Sequence, residues 1–168
     1  MVSVAERPAT MSLDALKSAF AQVPTSVAIV TTGSGSERYG ATVGTLTALS
    51  LGPPMLMFAM KQTSSLLQRL EVGRPVGINV LAAHQHDIAR RFATPGIDRF
   101  GDTRWCEEHA LPRIDETLLW IAARVRDQLS LGDHILVTAI IEHTQTEDLA
   151  PLVFWRRGFS AISNDRGV

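Results

Sequence analysis

The sequence predicts a mainly β protein, a small and largely antiparallel barrel carrying a few short peripheral helices. Strand-like runs of β-branched and apolar residues outnumber helix-like runs along the chain. The helix-like runs are also too short and too few to alternate with strands as a doubly wound parallel sheet requires. At 168 residues, 45% hydrophobic and 20% charged, the chain suits one domain with a real core, and no repeat or internal linker divides it.

Residues 1–11 read as a flexible arm, 12–163 as the domain and 164–168 as a tail. Ser12 is placed to cap a helix whose apolar positions Leu13, Leu16, Phe20 and Val23 follow helical spacing until Pro24 ends it. The run 26–32 (SVAIVTT) is a strand, followed by a Gly-bearing connection over 33–40. Residues 42–51 read as a second strand with no cleanly polar face. Pro53-Pro54 resets the chain before a short buried strand at 55–60. The spacing of Leu66, Leu67 and Leu70 predicts a helix over 64–73, stopped by Gly73. A strand at 76–81, a helix at 83–92 and a turn-rich stretch at 94–112 follow. Two long strands, 117–129 and 135–144, meet across 130–134, and a last short strand spans 152–155.

Composition excludes several classes of function. The net charge is −1 with both signs scattered, so no basic surface for nucleic acid is expected. The apolar runs are too short to cross a bilayer, and the first residues lack the architecture of a secretion signal. One cysteine, Cys106, forbids an internal disulfide, so a cytoplasmic location is the default expectation. Cys106 has no visible activating partner and reads as a packing residue. His84, Gln85, His86 and Asp87 look like ligands but lack a metal-site spacing, as do Cys106, Glu107, Glu108 and His109; no metal is expected. No nucleophile elbow, Walker motif or dinucleotide fingerprint is present.

The stretch 40–65 (GATVGTLTALSLGPPMLMFAMKQTSS) carries the chemistry. Thr42, Gly44, Thr45 and Thr47 lie on one predicted strand, where Gly44 lets a flat ligand approach the backbone. Thr63, Ser64 and Ser65 open the predicted helix at 64, whose free N–H groups favour an anion. Ring and phosphate together suggest a nucleotide-type cofactor, with flavin foremost. Asn79 sits inside an apolar strand and needs partners, from a ligand or from the backbone. Gly132-Asp133-His134 reads as a turn, and a histidine there could carry a proton or a hydrogen bond to a substrate.

In order and spacing these pieces resemble the flavin reductase-like proteins, the NAD(P)H:flavin oxidoreductase components of two-component monooxygenases. The matching elements are PTSVAIVTT at 24–32, GATV at 40–43, LSL at 49–51 before Pro53-Pro54, Ser64-Ser65, and NVL at 79–81. Gln85, Arg91-Phe92, DRF at 98–100, GDH at 132–134 and Pro151-Leu152 complete them.

The resemblance implies a split β-barrel that binds FMN or FAD as a homodimer. It takes NADH or NADPH as co-substrate and hands reduced flavin to a partner monooxygenase; a non-enzymatic flavin-binding module on the same barrel is the alternative. By the same resemblance Tyr39, Gly40, Ala41, Thr42, Val43, Gly44 and Thr45 bed the flavin ring, with Ser50 nearby. Thr63, Ser64 and Ser65 meet the phosphate, while Asn79, Val80, Leu81, Gln85, Arg91 and Phe92 line the site. His134 is expected on the nicotinamide side as the catalytic residue. The chain departs from the family pattern at Gly44 and Thr45, at Leu66 where Thr is frequent, and at Gly52 where Asp is frequent.

Overall fold

The computed structural model describes residues 11–162; the predicted tail 164–168, and all of the predicted arm except Met11, lie outside them. Helix α1 (Leu13–Phe20) starts at Ser12, whose Oγ accepts from the Ala15 N–H at 3.1 Å, as its sequence position predicts. None of its residues is buried. Twelve strands follow: β1 (Thr25–Ser26), β2 (Ala28–Thr32), β3 (Tyr39–Val43), β4 (Thr47–Leu51), β5 (Pro54–Lys61), β6 (Pro75–Val80), β7 (Trp105–Glu108), β8 (Leu111–Ile114), β9 (Leu119–Leu131), β10 (His134–Thr146), β11 (Leu152–Trp155) and β12 (Gly158–Ala161). Helix α2 (His86–Ala93) lies between β6 and β7.

Seven strands form one antiparallel sheet in the order β3-β2-β6-β9-β10-β5-β4. It curls around a core that includes Val30, Phe58, Leu66, Leu70, Ile78 and Val137, all 0% exposed. This is the mainly β barrel that the sequence predicts. A second cluster, with Ile29, Leu81, Phe92 and Ile114, fills the space between the sheet, α2 and the β7–β8 hairpin. Beyond Val125, β9 pairs only with β10, so its last residues form a sheet edge.

Several boundaries differ from the sequence reading. The predicted strand 26–32 divides at Val27 between two sheets, β1 pairing with β11 and β2 with β3 and β6. The predicted strand 42–51 breaks at 44–46, where ladder pairing stops at Val43 and resumes at Thr47. The predicted helix 64–73 is only a 3₁₀ turn, Leu67–Arg69. Leu66 and Leu70 are buried in the barrel mouth, and burying both from a short segment outweighs helical propensity. The β7–β8 hairpin and β12 escaped the sequence reading, because CEE at 106–108 and RRG at 156–158 interrupt any clear alternation.

Buried polar contacts fasten the hairpin to the sheet. Asn79, 0% exposed, accepts from the Ile114 N–H at 2.7 Å through Oδ1 and donates to the Ile29 carbonyl at 3.3 Å. Thr31 Oγ1 donates to the Pro112 carbonyl at 2.8 Å. These bonds satisfy groups that water cannot reach, so their loss leaves the full desolvation cost behind. Asn79→Ala is expected to destabilise the fold by about 2 kcal/mol, read as a lower urea midpoint with an unchanged slope; an unchanged midpoint would show that the Asn79 bonds carry no net weight.

Candidate functional site

The sheet does not close completely. β3 is one terminal strand of its order, and β5 near the other end approaches it without forming a ladder. Thr45, in the break between β3 and β4, bridges the gap with its side chain: Oγ1 donates to the Ala59 carbonyl at 2.8 Å and accepts from the Ala59 N–H at 2.9 Å. The hydroxyl thus imitates one rung of a ladder.

A groove of about 500 Å³ opens along this seam. Ala41–Thr45 line one side, Ala59–Lys61 with Thr63 and Ser64 the other, and Phe92, Ala93, Arg99 and His134 complete it. Residues far apart in sequence meet here because β5 and β10 are paired, with His134 directly across from Lys61. The connecting turns are tied as well: the Gln62 N–H donates to the Asp133 carbonyl at 3.2 Å, and Gln62 Nε2 to the Gly132 carbonyl at 3.1 Å. A second cavity of about 360 Å³, lined by Arg38, Tyr39, Gly40 and residues 96–100, meets the groove at Arg99.

The groove carries positive charge from Lys61 and Arg99, and Arg99 is fixed by Nη1 donating to the Gly40 carbonyl at 2.6 Å. Its guanidinium also lies 5.4 Å from the centre of the Tyr39 ring, which Arg69 faces at 4.8 Å. His134 is held by its neighbour, with Nδ1 2.8 Å from Asp133 Oδ1. That hydrogen bond, followed by the charge of the same histidine, holds the Asp133 carboxyl below its ordinary value. An ionised carboxylate only accepts, so Nδ1 carries the proton and the other ring nitrogen, Nε2, is left for a ligand.

Gly40 matters through Phe92. A Cβ at position 40 would lie 2.8 Å from Phe92 Cε1, so glycine lets the ring pack close against β3 as part of the groove wall. Gly44 differs from its sequence reading, since its missing Cβ would meet Thr25 Oγ1 at 3.1 Å.

The structure therefore sorts the sequence candidates. Ala41, Thr42, Val43, Gly44, Thr45, Thr63, Ser64, Phe92 and His134 converge on the groove, and Tyr39 and Gly40 line the adjoining cavity. Several hydroxyls and amides are already engaged: Thr42 Oγ1 donates to the Ala89 carbonyl at 2.7 Å, and Ser65 pairs with the Tyr39 hydroxyl. Asn79 and Gln85 face the interior; Gln85 accepts from the Ala82 N–H at 3.0 Å and donates to the Asp115 carbonyl at 2.8 Å. Val80 and Leu81 are buried, Ser50 lies on β4 outside the lining, and Arg91 is paired with Asp102 at 2.7 Å. Ser64 and Ser65 do not open a helix, so any anion there meets hydroxyls and Lys61 rather than a helix end.

Lys61, Ala59 and Met60 also line the groove and stand outside the sequence candidates, and Arg99 stands among them only within the DRF match at 98–100. Lys61 ends an apolar strand two residues before Thr63, a signal that was available; Arg99 reaches the groove only through the fold.

Residues 20–163 match the flavin reductase like domain. The chain belongs to the flavin reductase-like family. Over 133 residues it is 33% identical to the reductase component of the 4-nitrophenol 4-monooxygenase/4-nitrocatechol 2-monooxygenase of Rhodococcus opacus, covering 79% of this chain and 72% of that protein. A flavin reductase (NADH) of Kitasatospora aureofaciens is 31% identical over 159 residues, 91% of this chain and 83% of its own. Among solved structures, the NADH:FAD oxidoreductase of Streptomyces globisporus with NAD and FAD fragments superposes with a TM-score of 0.86 at 25% identity, over 91% and 94% of the two chains.

In this flavin reductase-like chain, Gly40→Ala is expected to push the Phe92 ring out of the groove wall. Overpacking of this kind costs about 1–3 kcal/mol, read as a lower melting temperature. An unchanged melting temperature would show that the wall yields freely.

Proposed function

We propose that the protein is an NAD(P)H:flavin oxidoreductase whose flavin occupies the groove along the β3–β5 seam. The observation that carries this reading is the convergence of a half-open strand edge, Lys61 with two hydroxyls, and a carboxylate-anchored histidine on one groove. Its volume lies inside the roughly 300–1,000 Å³ range of small-molecule sites. The residues present fit a flavin: Ala41–Thr45 offer a strand edge to a flat ring, and Lys61, Thr63 and Ser64 offer a cation and hydroxyls to a phosphate.

Bound flavin supplies the hydride chemistry itself, and the protein orients the reactants and tunes the charge around them. Lys61 and Arg99 favour negative charge in the groove. Phe92, buried, gives the groove an apolar stretch of wall. His134 lines the groove with Nδ1 engaged by Asp133, which leaves Nε2 to accept a hydrogen bond when neutral and donate one when protonated, as suits the carboxamide of a nicotinamide. Asp133 acts through His134 as a positioning residue.

As a reductase of this kind the protein passes reduced flavin to a separate monooxygenase, in the cytoplasm. Relatives named as reductase components support that partner. A homodimer is supported by Leu13, Phe20 and Val23, which leave an apolar face at α1, at 50%, 68% and 56% exposure. Among the described residues no helix is long and apolar enough to cross a membrane.

NADH and NADPH oxidation, assayed with FMN and FAD in turn, tests the reading. Turnover with at least one pair is expected; flavin binding without oxidation would favour the binding module, and neither would overturn both readings. His134→Ala should raise the KM for the nicotinamide or lower kcat while leaving flavin affinity in place; unaltered kinetics would remove His134 from the site. Lys61→Met should weaken flavin binding about tenfold, the loss expected for one charge-assisted hydrogen bond, followed by fluorescence quenching.

A further inference from the structure

Away from the groove, the tip of the β7–β8 hairpin brings three metal-ligating side chains together. The donor atoms of Glu108, His109 and His143 all lie within 4.8 Å of one another. His109 and Ala110 form the two-residue turn, both with positive φ, at 53° and 57°. Turns of that kind ordinarily carry Asn-Gly, since a side chain at positive φ is strained. The strained turn sets the His109 ring against that of His143 on β10, with centroids 4.8 Å apart.

Glu108 completes the set. Its Oε2 is held by Arg113, while Oε1 lies 3.8 Å from His109 Nε2. Arg113 is itself anchored by Gln145 at 2.9 Å, so the carboxylate is fixed in place with one oxygen free. The hydrogen bond from Arg113, and then its charge, holds the Glu108 carboxyl below its ordinary value, so it stands ionised at neutral pH.

We propose that Glu108, His109 and His143 bind a divalent transition-metal ion, with zinc the best match. Two imidazoles and a carboxylate are a known zinc ligand set, completed by water at the fourth position. Tetrahedral bonds of about 2.0–2.1 Å need donor atoms roughly 3.4 Å apart. Rotation of the two exposed histidine side chains supplies the remaining approach. The bound ion pins the hairpin tip to β10 and so secures the cover over Asn79 and Thr31. The site stands apart from the flavin groove, with His143 and His134 nine residues apart on the extended strand β10, and is independent of the proposed reductase activity.

Zinc chloride titrated into tag-free, chelator-treated protein tests the proposal, read by calorimetry and by melting temperature. One equivalent is expected to bind and raise the melting temperature. His109→Ala and His143→Ala should each weaken binding at least about tenfold, the lower bound set by lesser, indirect changes around metal sites. A His84→Ala/His86→Ala double variant should retain it. Circular dichroism checks that each variant is folded. Absence of binding, or binding lost only in the His84/His86 variant, would overturn the proposal, as would binding that persists in both single variants.

Discussion

The structure depends on a sheet that almost closes. Seven antiparallel strands wrap a common core, yet β3 and β5 meet without a ladder, and the Thr45 hydroxyl supplies two hydrogen bonds to Ala59 in place of one. Full pairing would remove the groove, whereas a wide opening would expose the core residues Val43, Phe58 and Met60. One side chain holds the seam at an intermediate width. The positions of Lys61, Ser64 and His134 follow from it, because all three stand on the β5 side or on the strand paired to it.

The polar residues that read as ligand contacts in sequence divide by where the backbone needs them. Asn79, Gln85 and Thr42, and beside them Thr31, which carries no such reading, serve buried or partly buried carbonyls and N–H groups, joining α2 and the β7–β8 hairpin to the main sheet. They shape the groove from behind: Thr42 anchors α2 through Ala89, and α2 carries Phe92 into the wall. A residue in this position is tied to function through geometry rather than through contact.

Much of this was legible in the sequence. The Ser12 cap, the long β9–β10 pair, the buried β5 and the 83–92 helix left clear periodicity or punctuation, and the order of motifs pointed to the family. What stayed hidden has physical causes. The 66–70 leucines keep helical spacing but serve the barrel mouth, so tertiary burial overrides the local pattern. The β7–β8 hairpin hides behind a turn, His109-Ala110, that lacks the usual glycine or asparagine. Arg99 reaches the groove from a turn-rich stretch with no periodicity to reveal its direction. The apolar strand around Asn79 marks it as a buried polar residue in need of partners, but only the fold shows that these are backbone groups and the Thr31 hydroxyl.

The outer half of β9 carries a different consequence. Past Val125 it has a neighbour on one side only, and such a strand invites another chain to add to it. Here the invitation is withdrawn by three means. The register slips between Thr138 and Ala139, leaving Arg126 as an extra residue that bends the edge. The loop at 70–74 covers its inner end, with the Gly73 N–H donating to the Val125 carbonyl at 2.8 Å, the Val125 N–H to the Arg74 carbonyl at 2.9 Å, and Gln128 reaching the Leu70 carbonyl. Arg126 and Asp127 then place charge beside Leu129 and Leu131, which are half exposed. The barrel therefore leaves one seam open for a small molecule while guarding the outer half of β9 against aggregation.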